Sequence, residues 1–196
     1  MEQKKSRYEV IAIGGSWGGM DALIRILKDI DTNFFLPVIV VLHRHKFTES
    51  SLSEILRKYL KLEIKEINEK EKICGGIVYL APRNYHVLIE SDRTFSLDAS
   101  EMVNYARPSI DVLFQSVALI YAEKAIGILL TGANSDGSQG LKEISRRGGL
   151  TIVQDPEDAE SQSMPLSALQ IMKPDYIFSQ ENINIFLKNL IKEVHD

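Results

Sequence analysis

A chain of 196 residues with 44% hydrophobic and 26% charged side chains can bury an ordinary globular core without crosslinks. Its formal net charge of −4, with no long run of either sign, gives no electrostatic case for nucleic acid or an anionic membrane as partner. Cys74 is the single cysteine, which excludes an internal disulfide and a cysteine-rich zinc site, and no run of about 18 apolar residues marks a membrane span.

In chain order, a polar, basic start runs into an apolar stretch at 10–13 that Gly14 and Gly15 break too early for a secretion signal. A cytoplasmic protein is the expectation. Met20, Leu23, Ile24 and Leu27 then share a helical face. Further short runs, rich in Val, Ile and Leu, fall at 38–42, 77–80, 87–89, 126–130, 151–153 and 176–178, as expected of parallel strands covered on both faces. Residues 62–67 alternate instead and read as an edge or half-exposed strand. Ile110, Leu113, Phe114, Val117 and Tyr121 form a second helical stripe, with Ser109 as N-cap and Asp111 in its first turn. Ser163 before Met164-Pro165 reads as the start of another helix, capped by the serine. Ile183, Phe186, Leu187, Leu190, Ile191 and Val194 stripe the last one. The fold class is α/β: a doubly wound, mostly parallel sheet, with an antiparallel hairpin at one edge drawn from residues 77–97.

Open α/β sheets bind ligands beyond the carboxyl ends of their strands. Three such ends carry reactive side chains here. Gly14-Gly15-Ser16-Trp17-Gly18-Gly19 contains the G-x-S-x-G spacing, which permits a tight strand-to-helix turn with an exposed serine, and it leaves the amide of Trp17 as an oxyanion donor. The plainer reading is a glycine turn whose serine caps the next helix. A dinucleotide fingerprint and a P-loop both fail on spacing, since Gly19-Met20-Asp21 stands where the P-loop lysine belongs. His43 leaves the second strand and can act as base, with His45 two residues on; either could equally be a solvated loop residue. Asp136 follows the run at 126–130 and could hold an imidazole, or serve as a turn or cap residue; position alone does not choose.

Together these segments resemble the catalytic domain of the CheB family, the chemotaxis protein-glutamate methylesterases. The likeness is carried by Ile13-Gly14-Gly15-Ser16-Trp17-Gly18-Gly19, Leu42-His43, Tyr79-Leu80-Ala81-Pro82, Arg107-Pro108-Ser109-Ile110-Asp111-Val112-Leu113-Phe114, Leu129-Leu130-Thr131-Gly132 with Asp136-Gly137, and Met164-Pro165. The resemblance implies a serine hydrolase that releases methanol from glutamate methyl esters on a partner protein. Ser16 is then the nucleophile, His43 the base and Asp136 the orienting acid; the amides of Trp17 and Ala133 bind the oxyanion, while Arg107 and Met164 line the substrate mouth. It implies no cofactor and no metal. The methylated substrate is expected on chemoreceptor cytoplasmic helices, reached without membrane insertion. Trp17 stands where the family usually has threonine, and Ala133-Asn134-Ser135 where the loop usually reads Met-Gly-Asn. Family members commonly carry an N-terminal receiver domain, whereas residues 1–196 read as one catalytic domain, so any phosphorylation switch is expected to be absent or to come from a separate regulator chain.

Two rivals stand beside this reading. A metal hydrolase could use His43, His45 and Asp136 as ligands. A non-catalytic receptor-binding domain could use the same fold, with Trp17 shaping a pocket that holds without cleaving. Cys74, ahead of Gly75-Gly76, reads as a packed or loop thiol.

Overall fold

The computed structural model describes residues 7–43 and 52–192. Seven strands form one parallel sheet: β1 (Val10–Gly15), β2 (Val38–Leu42), β3 (Glu63–Glu66), β4 (Ile77–Leu80), β7 (Ala125–Leu129), β8 (Leu150–Gln154) and β9 (Tyr176–Phe178), in spatial order β3-β4-β2-β1-β7-β8-β9. The chain starts in the middle, builds outward to β3, then returns to the other side of β1. The topological switch point therefore lies between β1 and β7, where Gly14 pairs with Leu129 while Gly15 pairs with Leu42 across the other edge. All of β1, β2 and β7 is buried, which explains their unbroken Val/Ile/Leu character. The edge strand β3 is half-exposed, with Ile64 buried and both Glu63 and Glu66 exposed.

Alternate residues of β1 feed two separate cores. Ile11 and Ile13 pack with α1 (Gly19–Leu27), α2 (Leu52–Arg57) and α6 (Gln180–Lys192). Val10 and Ala12 pack with α3 (Ile110–Tyr121), α4 (Ser138–Arg146) and α5 (Ser163–Ile171). In α1 the expected face is turned slightly, because Met20 is exposed while Leu23 and Leu27 are fully buried. In α6, Ile183, Leu187 and Leu190 face the core; Val194 lies outside the described residues.

The antiparallel pair is present as β5 (His86–Ile89) and β6 (Phe95–Asp98). It forms its own two-stranded sheet rather than extending the edge of the large one, and Ile77–Leu80 belongs to the parallel sheet instead. The pair buries Val87, Ile89 and Phe95 against the α3 side of the molecule, and an antiparallel bridge between Lys72 and Thr94 ties it to the segment before β4. The helix α5 also differs from expectation. Ser163 is its first helical residue, Gln162 occupies the N-cap position, and no side chain caps it.

Candidate active site

The backbone ladder continues past the ends of β1, β2 and β7 and brings the three candidate segments together. Leu130 N–H donates to the Gly14 carbonyl at 2.8 Å, His43 N–H to Gly15 at 3.1 Å, and Ser16 N–H to Thr131 at 2.9 Å. Each contact is the next rung beyond an aligned parallel strand, so the sequence-distant residues become neighbours through sheet register alone. Ser16 does not cap α1. Gly18 is the N-cap, at φ 75°, a left-handed conformation that carries no steric cost for glycine and lets the chain turn from strand into helix in three residues.

That turn fixes the peptide beyond Ser16. Gly19 N–H donates to the Ser16 carbonyl at 2.8 Å. In a trans peptide the following N–H points the opposite way, so the Trp17 amide is directed away from α1. The same device recurs across the site: the Gly132 carbonyl accepts Met164 N–H at 2.9 Å and Ser161 Oγ–H at 3.0 Å, which directs the Ala133 amide away from α5. Ala133 is exposed, and its N–H donates to no group among the described residues. A cavity of about 900 Å³ opens here, lined among others by Ser16, Trp17, His43, Ala133 and Asn134.

Asp136 is completely buried. Its Oδ2 accepts from His43 Nε2 at 2.9 Å and from the Ile110 amide at 2.7 Å. Its Oδ1 accepts Ser109 Oγ–H at 2.8 Å, the Asp111 amide at 3.1 Å and Asn104 Nδ2 at 3.4 Å. Ile110 and Asp111 open α3, so the carboxylate sits on that helix's unsatisfied N–H groups and at the positive end of its dipole. Burial alone pushes the Asp136 carboxyl up, but the bonds from His43, Ile110, Asp111 and Ser109 outweigh it and hold it below the usual carboxylate value. Asp136 thus bonds the His43 imidazole and accepts amides at the start of α3, whose N-cap is Ser109, while Gly137 is the N-cap of α4.

Several residues that sequence reasoning gave no site role complete this arrangement. Ser109 is the α3 N-cap, as expected, and accepts from the Val112 amide, but the same hydroxyl donates to Asp136. Its own amide donates to Nδ1 of buried His86 at 3.1 Å, which leaves His86 Nε2 to donate to the Glu101 carbonyl at 3.0 Å. Asp111 accepts the Gly140 amide and Asn104 Nδ2; burial, reinforced by the nearby Asp136 charge, keeps its carboxyl above the usual range. Only the S-I-D run at the start of α3 carried a readable signal, that of a helix cap.

Two residues expected at the substrate mouth are placed differently. Met164 is fully buried and lies outside the cavity lining; it packs under Gly132, where an added Cβ would come within 2.6 Å of its Cε. Its role is floor packing, because the α5 start is pressed against the β7 loop. Arg107 does line the cavity, with Nη1 committed to the carbonyls of Ala99 and Ser100 at 2.6 and 2.5 Å. Cys74 is an exposed thiol away from the cavity. His45, which the metal reading needs, lies outside the described residues, and no cluster of three or more His, Cys, Asp or Glu side chains suited to a metal occurs among the described residues.

Comparison with known proteins identifies relatives of the whole fold. The family model for the CheB methylesterase matches residues 11–187. A protein of Leptospira interrogans, assigned as a protein-glutamate methylesterase/protein-glutamine glutaminase, is 49% identical over 176 residues, covering 90% of this chain and 91% of its own. The Thermotoga maritima protein-glutamate methylesterase/protein-glutamine glutaminase is 32% identical over 86% of this chain, which spans 50% of that relative's length. The crystal structure of the Thermotoga maritima CheB methylesterase catalytic domain superposes with a TM-score of 0.88 at 31% identity, covering 93% of this chain and 98% of that one. With its Gly-Gly-Ser turn, His43 and Asp136 gathered at one sheet edge, the chain belongs to the CheB methylesterase family.

Proposed function

We propose that this chain hydrolyses glutamate methyl esters on a partner protein and releases methanol, with Ser16 as nucleophile, His43 as general base and Asp136 as the orienting acid. The observation that carries this reading is the hydrogen bond between His43 Nε2 and Asp136 Oδ2, anchored on the α3 N-terminus. Because Asp136 takes Nε2–H, the lone pair of His43 lies on Nδ1, the nitrogen that can accept a proton. Ser16 attacks the γ-carbonyl carbon as its proton passes to Nδ1. The Trp17 and Ala133 amides stabilise the oxyanion, each worth on the order of 10²-fold. The protonated imidazole returns the proton to the departing methoxide, and water then opens the acyl-serine by the same route.

The substrate proposed is a methylated chemoreceptor, met in the cytoplasm through its helices, with residues 1–196 acting as one catalytic domain. Among the described residues no helix is long and apolar enough to cross a membrane. The test is methanol release from methylated receptor fragments by the wild type and by Ser16→Ala. A loss of roughly 10⁴-fold is expected, and near-normal release by Ser16→Ala would end the proposal.

A further inference from the structure

Asn134 is exposed on the loop after β7 and touches both partners of the His43–Asp136 pair. Its Oδ1 accepts the Asp136 backbone N–H at 3.1 Å, and its Nδ2 stands 3.3 Å from His43 Nδ1. These contacts fix the amide's orientation. Flipping it would set an oxygen against a lone pair and an NH₂ against an N–H donor. Since Nε2–H is given to Asp136, Asn134 donates to Nδ1. That lone pair is the one required by the Ser16 proton, and no hydrogen bond joins Ser16 Oγ to His43 among the described residues.

We infer that Asn134 is a resting-state clamp on the base, holding Nδ1 until its side chain swings out and Ser16 takes its place. The inference rests on the roles proposed above for Ser16 and His43. Opening the clamp leaves the carboxylate in position, because Ser109, Ile110 and Asp111 hold it independently. The contact thus does two things. It keeps the imidazole in the productive tautomer, and it competes with the nucleophile for the same nitrogen. Asn134 has no positive φ, so alanine fits its backbone without strain.

The experiment is the rate of covalent labelling of the full chain by a fluorophosphonate, with Ser16→Ala as the blank. Labelling forms the Ser16 Oγ–P bond, expels fluoride and sends the hydroxyl proton to Nδ1, so it reads the first step without the protein substrate. Asn134→Ala is expected to label about fivefold faster, the equilibrium worth of one ordinary neutral hydrogen bond. The gain should appear in the maximal rate constant, and the His43 Nδ1 nitrogen resonance should move toward that of an unbonded lone pair. Asn134→Asp keeps the acceptor for the Asp136 amide but, with Asp136 already on Nε2–H, sets a carboxylate against Nδ1 and favours the doubly protonated imidazolium, which has no lone pair for the Ser16 proton, so it is expected to label more slowly than wild type. Labelling of Asn134→Ala at or below the wild-type rate, in protein with an unchanged melting curve, overturns the clamp. A wild-type chain left wholly unlabelled at Ser16 removes the nucleophile assignment itself, and the clamp with it.

Discussion

Asp136 accepts hydrogen bonds from one imidazole, two backbone amides, a hydroxyl and an asparagine, all while excluded from water. Such a carboxylate both positions its histidine and stabilises the fold, and the two effects separate by pH. Its folded-state pKa lies below the ordinary value, so its stabilisation is complete above the unfolded value of about 3.9 and disappears as pH falls through the lower folded value. Asp136→Asn places an amide among donors and is expected to cost about 2 kcal/mol near pH 7. In urea unfolding the difference from wild type should hold from pH 7 to about 5 and shrink below about 4. A difference that stays constant down to pH 2.5 contradicts the assignment of that stabilisation to the carboxylate. Methanol release by the same variant should fall roughly 10³- to 10⁴-fold, because the imidazole loses its tautomer.

At the level of elements, the site depends on how closely α3 approaches β1. A Cβ built on Gly14 would lie 2.2 Å from Ile110 Cγ2, and Ile110 supplies one of the amides that bind Asp136. Gly14→Ala must therefore push the start of α3 off the strand. We expect about 2–3 kcal/mol of destabilisation together with at least tenfold slower turnover, since Asp136 moves with the helix. Ile110→Ala removes the obstructing methyl, so the double variant should lose less than the sum of the singles. Strict additivity in denaturant melts speaks against this contact. The antiparallel pair β5–β6 shows why element partners are harder to read than elements. Its alternation is visible in the sequence, but attachment to α3 instead of a sheet edge depends on which apolar surfaces remain uncovered once the large sheet has formed.

For the whole molecule, the active edge is a consequence of topology. Starting the chain at the centre of the sheet puts the ends of β1, β2 and β7 side by side at the switch point. The proposed transfer of the Ser16 proton to His43 needs no metal, so methanol release should be unchanged by EDTA. A loss that zinc restores would favour the metal-ligand reading of His43 and Asp136 instead. The sequence by itself determined the α/β class, most of the parallel strands, the α3 cap and the three candidate residues at strand ends, because hydrophobic period, glycine position and side-chain chemistry are local properties. It identified Asp136 without saying what holds it. The tertiary structure alone decided that α3 supplies the amides, that Ser109 serves both cap and carboxylate, that Met164 is floor rather than mouth, and that Asn134 faces the base. Each of these depends on the close approach of segments distant along the chain, and packing sets such distances only after the elements have assembled.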